Sequence, residues 1–137
     1  MESIFEKAFI QVMQDTLGVI PLRIESKLLE GYLSSTDITF EDGMRSAITF
    51  VSSKEFLGTL AYGLLGENIS EDLELRDLSQ ELVNLTVGLA KVLAVKEEMQ
   101  FNAAIPRAFG FGEFQDAQCR CLNFALDGAP CSLFMHT

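Results

Sequence analysis

Tryptophan is absent from this 137-residue sequence, proline occurs three times and histidine once, at His136. So little proline, beside eleven Phe and a 48% hydrophobic content, excludes a proline-rich, collagenous or disordered chain and leaves material for a sizeable core. Cationic residues are also scarce: ten Lys and Arg face twenty Asp and Glu, for a net charge of −10. No segment gathers the Lys and Arg on one stripe, which argues against nucleic acid and against anionic membrane surfaces as partners. Solubility, ahead of a positively charged patch on a partner, accounts for the acidic balance. The three cysteines, Cys119, Cys121 and Cys131, are odd in number. Met1 to Ala8 carries two Glu and no apolar run of signal-peptide length, and no stretch approaches the roughly 18 apolar residues of a membrane span. The expectation is a cytoplasmic protein with reduced thiols and no membrane association. A lone histidine beside the C-terminus leaves no credible Ser-His-Asp arrangement.

What is present reads as one domain over residues 1–137. Ile4, Phe5, Ala8, Phe9, Val12, Met13 and Leu17 recur at helical spacing, predicting an amphipathic helix over Glu2 to Leu17 that ends at Gly18. Leu22 to Tyr32 alternates imperfectly. Ile38 to Phe40 and Ser46 to Val51 flank the turn signal Glu41-Asp42-Gly43, predicting an antiparallel hairpin. Ser52 followed three residues later by Glu55 is a capping-box signature, so a second helix is expected from near Ser53 to Gly66. After a polar, acidic connection, a long third helix runs from about Leu73 to Lys96. Phe101 to Ile105, before Pro106, reads as a strand, and Gly110 and Gly112 as a turn. Ala117 to Ala125 and Ala129 to Met135 form a second hairpin around Asp127-Gly128. This order predicts an α+β fold with long helices packed against an antiparallel β-sheet.

The third helix carries two stripes. Leu78, Leu82, Leu85, Leu89 and Val92 recur at steps of four and three and are expected to point into the core. Asp77, Glu81, Asn84, Gly88 and Lys91 recur at the same steps, roughly 100° around the helix. A solvated face explains such a stripe in most helices. Here Val83, Val87, Ala90 and Ala94 make the other flanks apolar and confine the polar residues to a narrow strip, with Gly88 in its middle, where glycine costs about 0.5–1 kcal/mol relative to alanine. Close approach by another molecule would explain the glycine. Glu81 and Asn84 are one helical turn apart but do not make a complete hydrolase, because an amide can only orient water through its donor and acceptor. Water positioning is, however, a recurring part of phosphoryl-group hydrolysis, in which electrophile and metal can come from elsewhere.

The run from Asp77 to Lys91 resembles the D-x-x-x-E-x-x-N-x-x-x-G-x-x-K signature of the CheC/CheX chemotaxis phosphatases, and Phe101-Asn-Ala-Ala-Ile-Pro106 is similar to the short Pro-ended strand that follows it in that family. The order of the remaining elements also agrees, although only Glu81 to Lys91 is specific. The resemblance implies hydrolysis of the phosphoaspartate of a phosphorylated CheY-type receiver, with Asn84 holding the attacking water in line and Glu81 holding the receiver's active-site Lys. It implies no cofactor of the chain's own, since the Mg²⁺ sits on the receiver. CheC-type members carry the E-x-x-N pattern twice; here Glu6 is followed by Phe9 and Glu55 by Gly58, so the chain is a single-motif, CheX-like one. CheX-like proteins can form homodimers. Gln80 stands where the family commonly has a small residue, and Leu85 where it often has Met. Asp77 and Lys91 match by position, yet the helix dipole favours them there anyway, so the catalytic set is Glu81 and Asn84. The alternative is a catalytically inactive family member acting as a receiver-binding or oligomeric adaptor. A domain that keeps the fold for another purpose is a third reading, which a buried Asn84 would favour.

Two other constellations carry less. Cys119, Cys121, Cys131 and His136 are of the types zinc prefers, but a two-residue turn at Asp127-Gly128 sets Cys119 opposite His136 and Cys131 opposite Phe124 on the other side of the sheet, so three ligands at most converge. Gly110-Phe111-Gly112 lacks the following helix of a phosphate-binding loop.

Overall fold

In the computed structural model, which describes residues 1–115 and 119–136, three helices lie against an antiparallel sheet of seven strands. The elements are α1 (Glu2–Leu17), β1 (Leu22–Arg23), β2 (Glu30–Phe40), β3 (Arg45–Ser52), α2 (Lys54–Leu65), α3 (Asp72–Lys96), β4 (Phe101–Ala103), β5 (Arg107–Glu113), β6 (Arg120–Leu126) and β7 (Ala129–His136). The strand order is β1-β6-β7-β3-β2-β4, and β5 pairs with the other end of the β2 edge. This is the α+β arrangement expected from the sequence.

Local chemistry accounts for most boundaries. Gly18 and Gly66 end α1 and α2 in the left-handed conformation, at φ 69° in both cases, as the sequence predicts. The cap of α2 lies one residue later than the expected Ser52. The Oγ of Ser53 accepts the Phe56 N–H at 3.1 Å, whereas Ser52 still belongs to β3, its hydroxyl 3.4 Å from the Cys131 thiol. The second hairpin has the expected register, with Leu126 opposite Ala129 and Phe124 opposite Cys131. Of the strand expected from Ala117, the first residues, Ala117 and Gln118, lie outside the described residues.

Gly110 and Gly112 do not form the expected turn; both belong to β5. The register with β2 shifts between Leu33 and Ser34, which pair with Gly110 and Ala108, so Phe109 is an extra residue and Gly110 takes φ 80°. A bulge uses glycine's access to positive φ just as a turn does, so the same residue signals both.

Phe9 of α1 ties the layers together. Its ring stacks on Phe124 of β6 at 4.5 Å and Phe56 of α2 at 6.0 Å, and lies 6.3 Å from Phe50 of β3. The opposite face of the sheet carries a smaller cluster, Val51, Phe134 and Cys119, over which the Phe114 ring lies 4.5 Å from Phe134. The third helix is long and apolar enough to cross a membrane by length and composition alone. Its apolar side is instead a principal part of the core, where Leu75, Leu82, Val83, Ala90 and Ala94 are fully buried.

Two buried groups make the core testable. Thr86 Oγ1 on α3 is buried without a hydrogen-bond partner, a desolvation cost of about 1–3 kcal/mol. Thr86→Val is expected to raise the unfolding free energy by about 1 kcal/mol in urea titrations. Burial pushes the Cys131 thiol from its ordinary 9.0 up to about 12, against a smaller opposing effect of the Ser52 hydroxyl. The thiol's pKa is raised by folding, so stability is unaffected below the unfolded value and falls as pH rises from there toward the folded value, where the unfolded chain ionises first. Between about pH 8 and pH 10 the native sequence should lose about 1 kcal/mol more stability than Cys131→Ala, measured by urea unfolding at both pH values.

Candidate functional site

The rotation of α3 about its own axis decides what this helix shows to solvent. Its buried side is Leu75, Leu78, Ser79, Leu82, Val83, Thr86, Val87, Ala90 and Ala94. The expected core stripe is therefore corrected: Leu78 and Leu82 are buried, Leu85 and Leu89 are half-buried at the margin, and Val92 is exposed. The core needs small and β-branched residues here because α1 and the sheet crowd the helix from two sides, which puts Val83, Val87, Ala90 and Ala94 at its centre. At 100° per residue that rotation turns Asp77, Glu81, Asn84, Gly88 and Lys91 to the side away from the core, and all five are exposed.

Polar contacts fix the same rotation. Asp72 Oδ1 accepts the Tyr32 hydroxyl at 2.8 Å, Arg76 Nη2 donates to the Ala108 carbonyl at 2.9 Å, and Gln80 Nε2 donates to the Pro106 carbonyl at 2.7 Å. Burial first, then the hydrogen bond to the Asp72 carboxylate and its charge, hold the Tyr32 phenol above its ordinary 10.0. These three contacts lie four residues apart, a row that winds slowly around the helix, and Asn84 is the next position in it. Asp72, Arg76 and Gln80 hold the helix to β2, to β5 and to the β4–β5 connection. Among the described residues neither Asn84 nor Glu81 has a hydrogen-bond or ion-pair partner.

Glu81 and Asn84 thus project from one exposed face, with about 4.5 Å of helix rise between them. The amide can donate to one atom and accept from another, and the carboxylate can hold a cation. Among the described residues no three His, Cys, Asp or Glu side chains gather as a metal-binding group. A cavity of about 340 Å³ borders the C-terminal end of the stripe at Lys91 and Val95, but neither Glu81 nor Asn84 lines it. A convex helix face bearing an exposed amide and carboxylate cannot enclose a small molecule; it suits insertion into a depression on another macromolecule.

A Cβ built at Gly88 meets nothing within 4 Å, so the fold itself does not call for glycine in the middle of α3. The contacts made by Arg76 and Gln80 were not legible in the sequence. Their partners lie 32 and 26 residues away, and the only local sign was a Gln in place of a small residue.

The fold so built is that of the CheC-like chemotaxis proteins. A CheC-like superfamily protein from Shewanella sp. PV-4 superposes with a TM-score of 0.77 at 18% identity, over 99% of this chain and 97% of its own. The CheX members of that group share the fold just as fully. Chemotaxis protein CheX from Vibrio vulnificus has a TM-score of 0.85 at 12% identity, over 98% of this chain and 93% of its own. The CheX–CheY–BeF3–Mg²⁺ complex from Borrelia burgdorferi has a TM-score of 0.74 at 18% identity, over 98% and 96%. No protein-family model matches the chain, and no curated protein does.

Because the fold offers no reason for glycine at position 88, Gly88→Ala is expected to stabilise the isolated protein by about 0.5–1 kcal/mol in thermal or urea unfolding.

Proposed function

We propose that this chain is a cytoplasmic phosphatase that hydrolyses the phosphoaspartate of a CheY-type response regulator in chemotaxis signalling. The observation that carries this reading is the exposure of Glu81 and Asn84, both without partners among the described residues, on a helix whose rotation is fixed by core packing and three hydrogen bonds. The shared fold with CheX, one example of which is bound to CheY, supports the same partner for this chain. Asn84 is exposed, the opposite of what a fold kept for another purpose would favour.

In this reading α3 lies across the receiver's active site and Asn84 enters it. The amide accepts from and donates to the attacking water and its surroundings, holding the water in line with the phosphorus; the water oxygen bonds to phosphorus as the aspartyl carboxylate leaves, giving inorganic phosphate and a free carboxylate. Glu81 accepts from the receiver's active-site Lys and fixes the two proteins in register. Mg²⁺ and the phosphoryl group belong to the receiver, and the phosphatase contributes no cofactor. Absence of a nucleophile on the stripe is consistent with a step in which positioning supplies the catalysis. Gly88, one turn beyond Asn84, allows the receiver's surface to come close to the helix backbone.

Decay of a phosphorylated CheY-type receiver, followed at equal concentrations of each variant, tests the assignment. Wild type should accelerate decay; Asn84→Ala should abolish the acceleration, a loss of at least about 100-fold in kcat, with unchanged unfolding. Glu81→Ala should act mainly on docking and raise KM. Full activity in both variants would refute the mechanism, and binding without acceleration by the wild type would mark the chain as a receiver-binding adaptor.

A further inference from the structure

The connection between β4 and β5, residues 104–106, is held on both sides of Ile105. The Ala104 N–H donates to the Asp37 carbonyl at 2.9 Å, and the Ala104 carbonyl accepts from Thr36 Oγ1 at 2.6 Å. Beyond it, the carbonyls of Pro106, Arg107 and Ala108 accept from Gln80, Ser34 and Arg76 at 2.7, 3.0 and 2.9 Å. Within this fixed segment one large apolar side chain turns outward: Ile105 is 84% exposed, the most exposed of the large hydrophobics in the described chain. Phe109 at the bulge and Phe111 continue the apolar surface along β5, at 57% and 55%.

A loop that leaves an isoleucine in water because it is mobile needs no explanation, but this one is clamped from both β2 and α3. Gln80, which holds it from α3, is one helical turn from Asn84, about 6 Å along the axis. A specific protein–protein interface buries about 800 Å² on each side, a disc of roughly 16 Å radius. Any globular domain centred on Asn84 therefore also covers the connection bonded to Gln80. Aliphatic and aromatic side chains at the centre of such a surface supply much of its affinity, while charged residues at the rim mainly set orientation.

We propose that the β4–β5 connection is a second recognition element for the receiver domain, with Ile105 its apolar contact and Gln80 the positioning residue that sets the connection's height beside Asn84. This rests on the hydrolytic reading above. Ile105 acts on binding and Asn84 on chemistry, so the two separate in steady-state kinetics. Gln80, whose amide spans from α3 to the Pro106 carbonyl, contributes by holding the connection that carries Ile105.

The test measures decay of the phosphorylated receiver across a range of receiver concentrations, with thermal unfolding of each variant alongside. Ile105→Ala and Ile105→Asp should unfold as the wild type does, keep kcat within about twofold, and raise KM about tenfold. Gln80→Ala should raise KM severalfold, and Gln80→Lys, which retains an N–H donor, should recover most of that loss. An unchanged KM in both Ile105 variants beside an active wild type would overturn this inference and leave the hydrolytic reading intact. A fall in kcat at unchanged KM would also overturn it, since Ile105 would then be acting on the reaction itself. A wild type that accelerates the decay of no CheY-type receiver would remove the hydrolytic reading and this inference with it.

Discussion

Everything the candidate site does depends on how α3 is rotated against the sheet. The helix buries a broad apolar face, and the small side chains at its centre, Val83, Val87, Ala90 and Ala94, let it sit close to α1 and to the sheet. A turn of the helix by one residue would carry several of these into water and push Glu81 or Asn84 toward the core, at a cost of a few kcal/mol for each buried polar group left unpaired. Arg76 and Gln80 add direction to that non-directional term by bonding to the Ala108 carbonyl at the start of β5 and to the Pro106 carbonyl just before it. Packing sets the depth of the helix and the hydrogen bonds set its azimuth; the exposed stripe is the consequence of both.

An amide and a carboxylate held in this way are prepared for one kind of task. Neither is a strong nucleophile, and the face that bears them is convex, so in the proposed reading substrate, electrophile and metal arrive together on the partner. Holding the side chains on a rigid helix lowers the entropy lost when the partner docks, and position is what a water-orienting residue contributes. The unused space at Gly88 fits the same division of labour: the isolated chain gives up some helix stability at a site where only another molecule would need the room.

Much of the fold was legible because its signals are local. Gly18, Gly66 and Asp127-Gly128 end or reverse the chain through backbone conformations accessible to few residues, and the periodicity of α1 matches its buried side. The stripe bearing Glu81 and Asn84 was legible for a related reason, since polar residues at helical spacing collect on one face whatever the helix packs on. Which apolar residues face the core was not, because Leu85, Leu89 and Val92 are as hydrophobic as the residues buried in their place and only the shape of the neighbouring layers separates them. The bulge in β5 was read as a turn since Gly110 serves either, and the choice belongs to pairing with β2. Nor could the clamp on the β4–β5 connection be foreseen, because Thr36 and Gln80 reach it from 68 and 26 residues away.

The most direct measurement is of where a receiver lands. Amide chemical shifts of the isotope-labelled chain, recorded as a CheY-type receiver carrying BeF3 and Mg²⁺ is added, report the docking face without any need for turnover. The account predicts perturbations concentrated along the exposed side of α3 from Asp77 to Lys91 and absent from the sheet face that carries Thr49 and Ser132. Perturbations confined to that sheet face, or to the far ends of α1 and α2 with α3 unmoved, would contradict it.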